Sequence, residues 1–181
     1  MANEKAPAKI NIDSKMNTIY FADASLENLA EIVAIYNSTI SSRMVTADVE
    51  PVSVESKISW FYEHKPGKRP LWIVKNKEEK IIGWVSFQNF YGRPAYDATA
   101  EISIYLHGDY RGEGFGTQIL NYSIGECGNL EIKTLLGYIF AHNEPSLRLF
   151  HKAGFVEWAH LPNIALLDGQ ERSLKILGKR V

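Results

Sequence analysis

A single cysteine, Cys127, in 181 residues leaves no partner for an internal disulfide and no thiol set for a zinc site, which fits a reducing compartment. An excess of one charge is missing too. Twenty Lys and Arg against 21 Asp and Glu give a formal charge of −1, and the densest basic group is only Lys65, Lys68 and Arg69. Nothing electrostatic therefore favours a nucleic acid or an anionic membrane as partner. No apolar run approaches the roughly 18 to 20 residues of a membrane span. The first 17 residues carry lysines but no apolar stretch of the signal-peptide kind, and neither an internal repeat nor a low-complexity segment occurs. The expectation is a cytoplasmic protein with one domain over 18–181, preceded by a flexible segment over 1–17.

The most informative feature present is Arg111-Gly112-Glu113-Gly114-Phe115-Gly116, three alternate glycines between an apolar run, Glu101-Ile-Ser-Ile-Tyr-Leu106, and an amphipathic one, 117–127. The order is strand, glycine turn and helix. Glycine permits positive φ and removes the side chain that would hold a ligand away, so successive N–H groups can converge on an anion at the positive end of the helix. A nucleotide P-loop does not fit, because Gly116 precedes Thr117 and Gln118 rather than Lys-Ser/Thr. A dinucleotide turn is disfavoured by position, because it belongs in the first βαβ unit of its fold and this turn has about half the domain before it.

The remaining elements alternate. Residues 18–22 read as a strand, and Ser25 as the N-cap of a helix with Leu26, Leu29, Ala30, Val33 and Tyr36 on one face. Residues 37–50 read as a polar loop. Pro51 opens a second helical segment in which Val54, Ile58 and Phe61 share a face, and His64-Lys-Pro-Gly67 stops it. Residues 71–74 and 81–87 form a hairpin across a charged turn, with an aromatic loop after it at 88–97. After the glycine turn come a strand at 134–140, a short helix at 145–152 closed by Gly154, and strands at 155–160 and 173–177 with a turn at Asp168-Gly169. The fold class is α/β, a mixed sheet with helices on its faces.

These residues carry a resemblance. Asp109-Tyr-Arg-Gly-Glu-Gly-Phe-Gly116 resembles the Arg/Gln-x-x-Gly-x-Gly/Ala signature of the GNAT N-acetyltransferases, and Asn143-x-x-Ser146-x-x-x-Phe150-x-x-x-Gly154-Phe155 resembles a later motif of that superfamily. Tyr36-Asn37, Tyr96-Asp97-Ala-Thr99-Ala-Glu101 and Asn143-Glu-Pro-Ser146 are similar to the phosphinothricin and methionine-sulfoximine acetyltransferase branch. The resemblance implies the GNAT fold, a mostly antiparallel mixed sheet whose central strands splay apart, with acetyl-CoA as cosubstrate, no metal, a small-molecule amine acceptor and a homodimer.

On that resemblance the pantetheine lies in the splay against backbone groups of Ile104, Tyr105 and Leu106. The pyrophosphate sits on Arg111, Gly112, Glu113, Gly114, Phe115, Gly116 and Thr117, Ser146 contacts the cofactor, and Asn143 is expected as a catalytic residue that hydrogen-bonds the cofactor or the incoming amine. Splayed strands leave N–H and C=O groups that a ligand amide can satisfy. Glu101, on one strand face with Ser103 and Tyr105, is the expected general base, since the Thr-Ala-Glu position is where the branch places its base. Phe87, Arg93, Tyr96 and Glu101 are the expected acceptor residues, the Arg93 fork suiting a carboxylate or phosphinate. Phe90 and Tyr91 are further candidates for the pocket wall. An ordinary surface arginine stays open as the alternative.

The chemistry needs a base because an amine attacks a thioester only when neutral. Holding an amine of pKa ~8 unprotonated at pH 7 costs about 1.4 kcal/mol, and a lysine-like one of ~10.4 about 4.6 kcal/mol. Backbone N–H groups of the same strand can stabilise the oxyanion. Direct transfer is expected, with Cys127 on the apolar helix face as a packing residue rather than a nucleophile. The general acid stays open, because many relatives place a tyrosine, or within the branch a histidine, where this chain has Phe150, and His151 beside it should point elsewhere. Thr46-Ala47 replaces an aromatic common in the branch, which leaves the pocket shape open. Acetylation of a peptide or protein amine and non-catalytic acyl-CoA binding remain alternatives to a small amino-acid-like acceptor.

Overall fold

Alternation on the central strands decides how the sheet divides the molecule. The computed structural model describes residues 18–181 together with the backbone of a two-residue strand, β1 (Ala8–Lys9), so most of the segment expected to be flexible over 1–17 lies outside the described residues. β2 (Ile19–Asp23) leads through a 3₁₀ turn at Leu26–Asn28 into α1 (Leu29–Ile40), and a second 3₁₀ turn (Glu55–Lys57) opens the six-residue α2 (Ile58–Glu63). Next along the chain are β3 (Leu71–Asn76), β4 (Ile81–Asn89), β5 (Thr99–Leu106), α3 (Phe115–Glu126), β6 (Thr134–Phe140), α4 (Glu144–Lys152), β7 (Val156–Leu167) and β8 (Gln170–Arg180).

The sheet order is β1-β2-β3-β4-β5-β6-β8-β7, antiparallel throughout except between β5 and β6. In the β4–β5 register Trp84 faces Tyr105, Ser86 faces Ser103 and Gln88 faces Glu101, while Val85 and Phe87 face Ile104 and Ile102. Directly opposed residues share a face, so the first set lies with α1 and α2 and the second with α3 and α4. The α1 side holds Ile32, Ile35, Leu71, Ile73 and Trp84, and the buried Trp84 indole donates to Ile32 O at 3.0 Å. The α3 side is the larger core, with Trp72, Phe87, Ile102, Ile119, Leu135 and Phe150.

Two elements are longer than the sequence pattern implies. α1 continues through Asn37, Ser38 and Thr39, expected to be loop, because the hydroxyls of Ser38 and Thr39 donate to Ile35 O and Tyr36 O and the Asn37 amide exchanges two bonds with the Val52 backbone. The last hairpin extends to its turn on both strands, and Asp168 and Gly169 take φ of 49° and 77° as a tight turn requires. α2 departs as well, beginning past Pro51 and presenting Trp60 to the sheet, while Ile58 is exposed. Among the described residues no helix is long and apolar enough to cross a membrane.

Candidate active site

β5 and β6 pair only over three residues, Thr99↔Thr134, Ala100↔Leu135 and Glu101↔Leu136, and then diverge. Beyond Glu101 the β6 side of β5 has no strand neighbour among the described residues. Backbone amide groups left in that state cost about 1–3 kcal/mol each when buried and unpaired, so the fork is a ready place for an extended ligand that carries amides. Arg111 closes the end of it, its Nε and Nη2 both donating to Leu106 O at 3.1 Å.

A groove of about 480 Å³ runs from the fork to the glycine turn. Ile104, Tyr105, Leu106, Arg111, Gly112, Gly114, Gly116, Thr117, Asn143 and Ser146 all line it, which brings ten of the expected cofactor residues together. Glu113 is exposed and outside this lining, and the Phe115 side chain is buried in the core, so only the backbone of Phe115 is placed to meet a ligand. The glycines serve two ends. Gly112 and Gly114 take φ of 81° and 86° with open space where a Cβ would stand, whereas Gly116 lets Leu149 pack within 3.3 Å of its missing Cβ. The first backbone bonds of α3 reach Gly114 O from Thr117 and Gln118, so the preceding N–H groups at the helix start have no helical acceptor and can serve an anion.

Asn143 is 6% exposed and already engaged at both ends of its amide. Its Oδ1 accepts from Ser146 N–H at 3.2 Å, capping α4, and its Nδ2 donates to Met44 O at 2.9 Å. The 41–50 loop is thereby docked over the groove, with His142 Nε2 on Arg43 O at 2.8 Å and Arg43 paired to Asp168 at 2.7 Å. Phe150 forms part of the groove wall, its ring lying where a Cβ on Gly137 would come within 2.6 Å. His151 is turned to Phe155 O at 3.1 Å and lies outside the groove lining.

On the other side of β5 a cleft of about 330 Å³ opens beneath α1 and α2. Tyr36, Trp60, Trp84 and Tyr105 wall it, Ser86, Gln88 and Ser103 supply polar groups, and Glu101 and Lys57 are its charged residues. Trp84 and Tyr105 stack at 4.3 Å between centroids, with Trp60 edge-on to Trp84 at 5.7 Å. Burial pushes the Glu101 carboxyl above the usual carboxylate range, an effect that a hydrogen bond from Ser103 partly offsets. Tyr36 donates to Asp48 at 2.5 Å and contacts Thr46 Oγ1 at the same distance, and burial with that bond to Asp48 pushes its hydroxyl up to about 12. Tyr105 lines the cleft, the groove and a small space of about 60 Å³ at the fork, and so joins them.

Three expected acceptor residues are placed elsewhere. Phe87 is fully buried against Trp72 on the opposite face of β4, since its register partner is Ile102 and not Glu101. Gln88 and Asn89, expected in the loop, belong to β4, and Arg93 and Tyr96 are exposed on the loop over 90–98 and do not line the cleft; Tyr91 and Gly92 turn that loop with φ of 58° and 61°. Tyr96 instead packs against Phe90 and Tyr91. Sequence reasoning missed Lys57, Trp60 and Trp84 as cleft residues. The polar Ser86 and Gln88 alternating with Val85 and Phe87 were the available signal for the side that Trp84 faces. Among the described residues no group of three His, Cys, Asp or Glu side chains is placed to hold a metal ion.

Comparison with known proteins agrees with this geometry. The profile of the Acetyltransferase (GNAT) family matches residues 32–155. The chain is 48% identical over 158 residues to a Bacillus subtilis (strain 168) protein named "Putative phosphinothricin acetyltransferase YwnH", covering 87% of this chain and 96% of that one. It is 26% identical to the L-methionine sulfoximine/L-methionine sulfone acetyltransferase of Salmonella typhimurium, over 84% of this chain and 88% of that protein. A solved structure described as "a putative phosphinothricin N-acetyltransferase" superposes with a TM-score of 0.87 at 47% identity, covering 90% of this chain and 98% of the other.

Proposed function

The chain belongs to the GNAT acetyltransferase family, acetyl-CoA-dependent acyltransferases, and from that premise we propose that it acetylates the amine of a small amino-acid-like acceptor with Glu101 as general base. The observation that carries this reading is the fork itself. Glu101 is the last β5 residue paired to β6, on the cleft face, and the groove suited to the cosubstrate begins immediately beyond it. A thioester at the fork then meets an amine entering through the aromatic cleft.

The cosubstrate would lie with its amides along Ile104 to Leu106 and its pyrophosphate at the start of α3, where Arg111 can exchange Leu106 O for a phosphate oxygen. The acceptor amine attacks the thioester carbonyl, and the amine proton passes to Glu101 directly or through a water. A carboxyl raised toward the working pH by burial is a stronger base than an exposed one. Backbone N–H groups of β5 would hold the oxyanion. Collapse of the tetrahedral intermediate expels the CoA thiolate. Phe150 has no proton to give, so the thiolate, with an unperturbed pKa of about 8.5, takes its proton from water. Asn143 acts here by holding the Met44 loop against the groove, which assigns it a positioning role in place of contact with the reacting atoms.

A cytoplasmic homodimer is part of the same proposal, and sedimentation of the purified chain tests its stoichiometry. The reaction is tested by thiol release from acetyl-CoA over a panel of amino acids, phosphinothricin, methionine sulfoximine, methionine sulfone and amine-bearing peptides. Turnover with the small acceptors and not the peptides is expected. Turnover confined to peptides would replace the acceptor class, and tight acetyl-CoA binding without turnover on any of them would refute acetyl transfer to these acceptors.

A further inference from the structure

We propose that Lys57 is the specificity-determining residue that holds the anionic end of the acceptor, a role that the sequence pattern suggested for Arg93. The inference rests on the acetyl-transfer reading above and deepens it. Among the described residues Lys57 is the only cation lining the cleft. It is half-buried, enters no ion pair with any of them, and its Nζ lies 5.1 Å from the centroid of the Tyr36 ring. An ammonium held over an aromatic face in a cleft, without a carboxylate partner among the described residues, is a receptor for an anion.

The geometry gives that anion a direction. Lys57 is the N-cap residue of α2 and Trp60 lies three residues on, so the two sit on one side of the helix start and both line the cleft. Glu101 enters the cleft from β5, whereas Lys57 enters it from the N-cap of α2. The two charges therefore reach one aromatic cleft from different elements, Lys57 from the helix side and Glu101 from the sheet. An acceptor with an amine at one end and a carboxylate or phosphinate at the other matches both. A diamine would set its second ammonium against Lys57, so the same residue selects against polyamines.

The test measures L-methionine sulfone and its carboxamide as acceptors and, separately, as ligands of the CoA-loaded protein by calorimetry, with wild type, Lys57→Met and Lys57→Arg. A hydrogen-bonded charge pair of this kind corresponds to about tenfold or more in affinity, so wild type should prefer the acid to the amide by that factor. Lys57→Met should erase the preference, with the loss falling in KM rather than kcat and with KM for acetyl-CoA unmoved, and Lys57→Arg should retain most of it. An acid-over-amide preference that survives in Lys57→Met overturns the assignment, as does a wild type with no preference. Lys57-dependent binding of the acid without acetyl transfer by wild type would uphold Lys57 and sink the acetylation of this acceptor, so the two failures are distinct.

Discussion

Replacing Asn143 by alanine separates a structural account of this residue from a chemical one. Its side chain makes two bonds, a cap on Ser146 N–H and a tether to Met44 O, and it is 6% exposed. Loss of an N-cap costs about 1 kcal/mol. Loss of the tether costs about 1 kcal/mol more, since the Met44 carbonyl is part-buried and loses its donor. A chain of this size shifts its Tm by about 2–4 °C per kcal/mol, so Asn143→Ala should melt about 4–8 °C lower. Asn143→Ser keeps an oxygen for Ser146 N–H but cannot reach Met44, and should lose about half as much. Met44 and Val45 line the cosubstrate groove, so KM for acetyl-CoA should rise in both variants. Thermal unfolding followed by calorimetry and steady-state kinetics on the same preparations measure this. A Tm within about 1 °C of wild type together with a collapsed kcat would refute the positioning role.

Gly137→Ala would place a Cβ 2.6 Å from the Phe150 ring, an overpacking worth about 1–3 kcal/mol, and should lower Tm and weaken acetyl-CoA binding. Adding Phe150→Leu should recover part of the loss, and strict additivity of the two changes in thermal melts would contradict the contact. Cys127→Ala should leave acetyl transfer in place and show no burst of thiol, because burial pushes that thiol up to about 11 and its S–H is turned to Ser123 O. Acetylated Cys127 in the mass spectrum of rapidly quenched wild type would contradict direct transfer.

Much of the fold was legible because local signals were strong. The strand, glycine turn and helix around 101–127 declare themselves through φ requirements and periodicity, and the splay was expected from the resemblance. The sides of β4 were only faintly legible, since all of 81–87 is buried and the polar Ser86 and Gln88 are the sole sequence mark of the face that Trp84 shares. The register with β5 settles it, sending Phe87 to the core and Trp84 to the cleft. The place of Arg93 was hidden for a related reason: it depends on the path of the loop over 90–98, set by positive φ at Tyr91 and Gly92. Lys57 and Trp60 were hidden because a six-residue helix reads too weakly to orient a face. The end of α1 was hidden because Asn37, Ser38 and Thr39 look like loop until their bonds to backbone are seen.

The central claim is that Glu101 takes the proton from the amine, and the pH dependence of kcat/KM for wild type and Glu101→Gln tests it most directly. Burial raises the Glu101 pKa, and the carboxyl works only when ionised, so wild-type activity should fall as pH drops through a limb above the ordinary carboxylate range. A second limb belongs to the acceptor amine. Glu101→Gln should lose about 10²–10⁴-fold in rate and the Glu101 limb, leaving the amine limb alone. Near wild-type rates with both limbs intact in Glu101→Gln would contradict the account.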